Sequence, residues 1–249
     1  MKHILIISLY LSAFGAIAQT AGKITFEEKM DLHKTLPPDR QEMKDMIPQF
    51  NTALFELTFS GDQSVYQAKK VEEIQEVTAN QGSTRMTMRF GRDNRIVYKN
   101  MAEDKMIDSR DFMQKQFLIK GPLKARKWKI GSRQKEILGY NCMEASFRVD
   151  SATALVAWFA PTLTTANGPS DFQGLPGMIL QIDINDGERM ITATEIVTDS
   201  VDTSVIVAPD KGKEVTAEEF EKIREEKMKE MGIQHGGPGG GRQMIMIRQ

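Results

Sequence analysis

The sequence predicts a mainly β protein: a meandering antiparallel sheet with a short N-terminal helix, a C-terminal helix and a loose tail. Three observations predict it. Apolar residues alternate with polar ones over short stretches instead of recurring at helical spacing. Clusters of Gly, Asn, Asp and Pro punctuate those stretches at intervals suited to turns. Helical spacing with a recognisable cap occurs in only two places.

The chain opens with Lys2, an apolar run from Ile4 to Ala16, and small residues at Ala16 and Ala18 before Gln19. This is the pattern of a secretory signal cleaved near Ala18-Gln19, and it sets the expectation of a periplasmic or secreted protein. The run is too short to span a bilayer, and no later segment is apolar enough to do so, so no transmembrane segment is expected in the mature chain. The organisation expected is residues 1–18 as signal, 19–210 as the β domain, 211–232 as a C-terminal helix and 233–249 as a flexible Gly/Met-rich tail. With 33 Lys and Arg against 34 Asp and Glu, the chain has no field that would attract nucleic acid. A single cysteine, Cys142, cannot form an internal disulfide, so the core and the sheet must hold the fold.

Within the β domain, Ile24-Thr25-Phe26 reads as a strand, and Leu36-Pro37-Pro38 halts regular structure. Arg40 to Ile47 has helical spacing, with Asp39 as N-cap and Pro48 as its end. Phe55, Leu57 and Phe59 alternate with Glu56 and Thr58, turn at Ser60-Gly61-Asp62 and return through Ser64-Val65-Tyr66 as a hairpin. Lys69 to Gly82 is polar and reads as an excursion. A second hairpin is expected from Met86, Met88 and Phe90 through Gly91 to Asn94 into Ile96-Val97-Tyr98. Met106 to Ile119 is mixed in pattern. Strands follow at Lys127–Ile130, Ile137–Val149, Ala154–Phe159, Met178–Ile184 and Arg189–Val197, with Asn185-Asp186-Gly187 as a reversal and Val201–Val207 as one further strand. Thr216 caps a helix that carries Glu218 and Glu219 in its first turn, shows a thin stripe of Phe220, Ile223 and Met231, and ends at Gly232.

The best-defined local feature is Gly174-Leu175-Pro176-Gly177-Met178-Ile179, where Pro176 and Gly177 suit the two central positions of a type II turn that launches a strand. Gly174, Leu175, Pro176 and Gly177 are therefore expected to be structural. This motif, together with Trp128, Ile137 to Ala145, Ala157-Trp158-Phe159 and Gly168-Pro169 with Phe172, resembles the GLPGLI family of exported Bacteroidetes proteins. Met178 stands where that family usually has leucine, a swap that conserves volume. The resemblance implies a cell-envelope location and carries over no catalytic residue. The Tyr140 to Trp158 region is more distantly similar to lipoprotein-carrier proteins, and that fold-level likeness supplies the expectation that the sheet curves as a half-barrel.

No catalytic constellation emerges from the residues. His33 and His235 lie near opposite ends and are poor bases for a serine triad, and Cys142 sits in a strand-like, aromatic-flanked run that favours a packed thiol. Asp183 and Asp186 are explained by their turn, and nothing fixes the geometry of Glu27 and Glu28. The expectation is a non-enzymatic binding or accessory module without a cofactor. A curved sheet leaves an apolar hollow, and Trp128, Tyr140, Trp158 and Phe172 are the residues expected around a groove for a lipid, a peptide or an envelope protein. The alternative is copper capture near the C-terminus by Met228, Met231, His235, Met244 and Met246, because thioether and imidazole ligands suit Cu(I).

Overall fold

The computed structural model describes residues 21–36, 38–69, 75–81, 84–90 and 94–230. The expected signal, 1–18, and the tail, 233–249, lie outside the described residues. The first strand, β1 (Ala21–Asp31), leads into a single helical turn, α1 (Leu32–Thr35), which Asp31 caps by accepting from the amides of His33 and Lys34. A 3-10 helix covers Pro38–Met46 where the spacing predicted an α-helix. Its half-buried Met43 and Met46 pack with Leu32, Leu36 and Ile47 in a small cluster of their own.

The strands β2 (Phe50–Ser60) and β3 (Gln63–Ala68) form the expected hairpin about Gly61. The next pair departs from the reading above. Thr84–Phe90 (β5) pairs with Gln75–Gln81 (β4) as a separate two-stranded ribbon, while Ile96–Asn100 (β6) pairs back onto β3. Tyr66 lies opposite Val97 in that pairing and both are fully buried, so shared apolar burial selects this partner over the neighbour in sequence. The chain continues through β7 (Lys105–Phe112), β8 (Lys115–Gly121), β9 (Lys129–Ile137), β10 (Tyr140–Arg148), β11 (Ala154–Ala160), β12 (Met178–Ile184), β13 (Arg189–Val197) and β14 (Lys213–Val215) to α2 (Ala217–Glu230).

Twelve of these strands make one curved, open sheet in the order β14-β8-β7-β6-β3-β2-β1-β13-β12-β11-β10-β9, among the described residues. Every pairing is antiparallel except β14 on β8, which is parallel. Two meanders are joined at β1, which pairs with β2 on one side and with β13 on the other. The further strand expected at Val201–Val207 is absent: Asp202 accepts from the Ser204 amide, and Ile206 and Val207 donate to Thr203 and Val205. Those local bonds use the groups a ladder needs, and Ile206 and Ala208 instead cover Tyr98, Ile107 and Leu118.

The main core lies on one face, where Ile24, Phe26, Phe55, Leu57, Leu155, Ala157, Ile182 and Ile191 are all buried. At the β14 edge, Phe220 of α2 packs edge-on against Phe112 and Phe117. Among the described residues no helix is long and apolar enough to cross a membrane.

Candidate functional site

Between β11 and β12 the chain leaves the sheet and folds back over the core face as the loop 161–177, whose Leu163, Asn167, Ser170, Asp171, Phe172, Gln173 and Leu175 are all buried. A fully buried lysine holds it there. Lys99 on β6 donates from Nζ to the carbonyls of Gly168 (2.7 Å) and Phe172 (3.2 Å). Burial pushes its amine down to about 7, against an opposing attraction from Asp171. Arg126 clamps the same loop by donating to the carbonyl and carboxylate of Asp171 at 2.7 and 2.9 Å, and its guanidinium stacks 4.6 Å from the Phe172 ring. The Trp128 indole donates to Gln173 O at 3.1 Å. Burial alone would raise Asp171, but Lys124, Arg126 and Arg95 outweigh it and hold the carboxyl well below the usual carboxylate range.

Further polar groups line the same face. Glu28 is paired with Arg189 and accepts from the Tyr66 hydroxyl at 2.7 Å. Burial first, and the Glu28 charge second, raise the Tyr66 phenol well above its ordinary value. Asp108 accepts two bonds from Arg95, at 3.0 and 2.8 Å, and one from Arg110 at 2.5 Å. Those cations overcome the effect of burial and lower its carboxyl. This network escaped the sequence reading, although a signal was present: Arg95 and Lys99 flank Val97, and Asp108 and Arg110 follow Met106, at alternate positions where a core-facing strand would carry apolar residues. Glu27 and Glu28 are neighbours on one strand, so they point to opposite faces and cannot work as a carboxylate pair.

The opposite face carries a different arrangement. Glu144, Trp158, Gln181 and Thr192 lie directly across from one another on β10, β11, β12 and β13, so they form one row on a single face. Trp158 is half-buried at its centre. Lys135 Nζ sits 4.3 Å and the Arg133 guanidinium 5.8 Å from the Trp158 ring centroid. Arg133 pairs with Glu144, Lys135 donates to Gln181, and Gln181 donates to Thr192 Oγ1 at 2.8 Å. Two residues before Glu144 on β10, Cys142 is fully buried and its thiol is pushed up by burial to about 11, which leaves no thiolate for nucleophilic work at neutral pH.

Of the four aromatic residues expected around a groove, Phe172 belongs to the main core cluster, and Trp128, Tyr140 and Trp158 pack half-buried against that cluster at different places. Phe172 is buried within the loop that occupies the core face, Trp128 is committed to that loop and tilted against Phe147 at 5.9 Å, and Trp158 lies on the other face. Tyr140 is half-buried at the start of β10. Leu175 and Gly177 hold the strand entry, with Gly177 at φ 146°. The turn differs in kind from the expected type II. Gly177 N donates to Leu175 O at 2.8 Å, closing a tighter turn about Pro176, because Met178 N is engaged by Leu163 O across the loop. The Asn185-Asp186-Gly187 reversal has positive φ at all three residues, and Asp183 accepts from the Gly187 amide, so these acids serve the turn. Of the possible copper ligands, Met228 lies on α2, whereas Met231, His235, Met244 and Met246 fall outside the described residues. Among the described residues no group of three His, Cys, Asp or Glu is placed to hold a metal ion.

The family described as "N-glycanase peptide, N-terminal domain" matches residues 71–220, more than half of the chain. The chain belongs to this family. Two solved structures of PNGF-II, in the P21 and C2 space groups, are similar to this chain with TM-scores of 0.52 and 0.53 at 14% identity. Each comparison covers 82% of the chain and 33% or 32% of the solved one, so the chain spans about a third of the length of PNGF-II. At that identity the likeness is one of fold alone. No curated protein matches the sequence.

Proposed function

We propose that the chain is a non-catalytic, exported binding module whose ligand class is glycan, bound on the row Glu144-Trp158-Gln181-Thr192. The single observation that carries this reading is the row itself: one indole set among hydrogen-bonding side chains on a sheet face. An aromatic ring offers its face to the C–H groups of a sugar, and amide, hydroxyl and carboxylate groups around it satisfy the sugar's hydroxyls. The family's description as an N-terminal domain of an N-glycanase supports a role beside glycan chemistry. The signal-like start and the GLPGLI resemblance support an envelope or secreted location. The loop 161–177 occupies the face on which an apolar groove was expected, which favours the opposite face as the binding surface.

Titration calorimetry with an oligosaccharide released from an N-glycosylated protein tests the proposal. Trp158→Ala should weaken binding at least about tenfold, or about 1.4 kcal/mol, while the circular dichroism spectrum is retained. Equal affinity of wild type and variant would remove the row as the site. Release of glycan from the intact glycoprotein by the purified chain would overturn the non-catalytic assignment.

A further inference from the structure

The two edges of the large sheet are treated differently. At one, the three-residue β14 runs parallel to β8, and Val215 together with Phe220 of α2 covers Phe117 and Ile119. At the other, nine-residue β9 pairs with β10 on one side, and no described strand pairs with its far side. Lys129 to Gln134 are all exposed. Three of the exposed large apolar residues flank this edge: Ile130 (53%) within β9, Leu138 (45%) at its turn and Val149 (49%) just past the end of β10.

Charge is equally one-sided. Residues 112–135 contain no Asp or Glu, yet Lys124, Arg126, Lys127, Lys129, Arg133 and Lys135 fall close together on and just before β9, in a chain whose net charge is −1. Lys127 and Lys129 are exposed, and neither forms an ion pair with a described residue. The register places Lys129 opposite Ser146 and Lys135 opposite Cys142, on the face that carries Glu144, whereas Ile130 opposes Ala145 on the core side.

We propose that β9 is a docking edge for an extended, acidic segment of another protein, added as an antiparallel or parallel strand. Backbone hydrogen bonds would supply the affinity. Alternation supplies the selectivity: acidic side chains meet Lys129 and its neighbours on one face, and apolar ones meet Ile130 on the other. A second copy of this chain is disfavoured as occupant, because pairing β9 with itself brings lysines and arginines together, and the bulge opposite Glu144 works against indiscriminate pairing. The proposal uses the β9 backbone, Lys127 and Lys129, none of which belongs to the glycan row, so the two readings fail separately.

Fluorescence anisotropy of the full chain with labelled peptides as long as β9 tests it. A Glu-Val repeat should bind at least about tenfold more tightly than a Lys-Val repeat, or than a Glu-Pro repeat of equal charge that cannot extend a sheet. Lys127→Glu with Lys129→Glu should reverse the preference between the Glu-Val and Lys-Val peptides. No binding of the Glu-Val peptide, equal binding of the Glu-Pro peptide, an unreversed preference, or dimerisation through β9 in sedimentation would each overturn the proposal.

Discussion

Gly177 is required by two constraints at once. Its φ of 146° disfavours any side chain, and a Cβ there would lie 2.3 Å from Ala160 O and 2.8 Å from Ala160 C, which are backbone atoms and cannot swing away. Gly177→Val should therefore destabilise the protein by about 3 kcal/mol and lower its melting temperature by roughly 10 °C. An unchanged thermal transition would refute the close approach. The need for glycine was legible because Leu-Pro-Gly names a turn. The clash with Ala160 was not, because it joins residues that meet only when the loop closes. Lys99 and Asp108 were illegible for a related reason: a polar residue at an alternating position reads as solvent-facing until its buried partners, Gly168, Phe172, Arg95 and Arg110, are brought to it.

The clearest test at the level of elements is α2. Thr216 Oγ1 accepts from the Glu219 amide at 3.2 Å while the Glu219 carboxylate accepts from the Thr216 amide at 2.7 Å, a reciprocal cap of which the sequence reading named the Thr216 half. Thr216→Ala should cost about 1 kcal/mol of helix stability. Hydrogen exchange in the first turn of α2 should accelerate while β10 to β13 keep their protection; uniform acceleration would mean that the helix and the sheet open together. Hairpins with familiar turn residues were equally legible, as at Ser60-Gly61-Asp62, whereas the one at Leu138-Gly139, where both residues have positive φ, falls inside the single strand expected over Ile137–Val149, and β9 runs on from Ile130 to Ile137. The reversal between β7 and β8 was not, because Met113 and Gln114 occupy the same left-handed region without a Gly, Asn or Asp to mark it. β4 carries only Val77 and Ala79 among polar residues, too weak an alternation to announce its pairing with β5.

Across the whole molecule, Lys99 ties the loop 161–177 to the N-terminal meander, so its titration bears on global stability. The amine's ordinary value is 10.5 and burial brings it to about 7. Between those values the unfolded chain holds the extra proton, so the contribution of this group to stability rises with pH through that window, by up to about 1.4 kcal/mol per pH unit. The difference in unfolding free energy between wild type and Lys99→Met, measured in urea at pH 7, 8 and 9, should shift in favour of wild type as pH rises. A pH-independent difference would show that the amine is hydrated in the native state. Sheet class followed from local alternation, whereas strand order did not: the pairing of β1 with β13 joins residues more than 150 positions apart, and no short pattern encodes it.

The ladder between β3 and β6 closes at Gln67 and Ile96, and among the described residues the β4–β5 ribbon between them is a separate sheet that adds no strand to it. The stretch carrying the β4–β5 ribbon is thus a graft on a seam that is already sewn, and its length and chemistry can drift while the register on either side stays put. If related chains differ abruptly in size, this junction is where the extra residues would enter at least cost to the architecture.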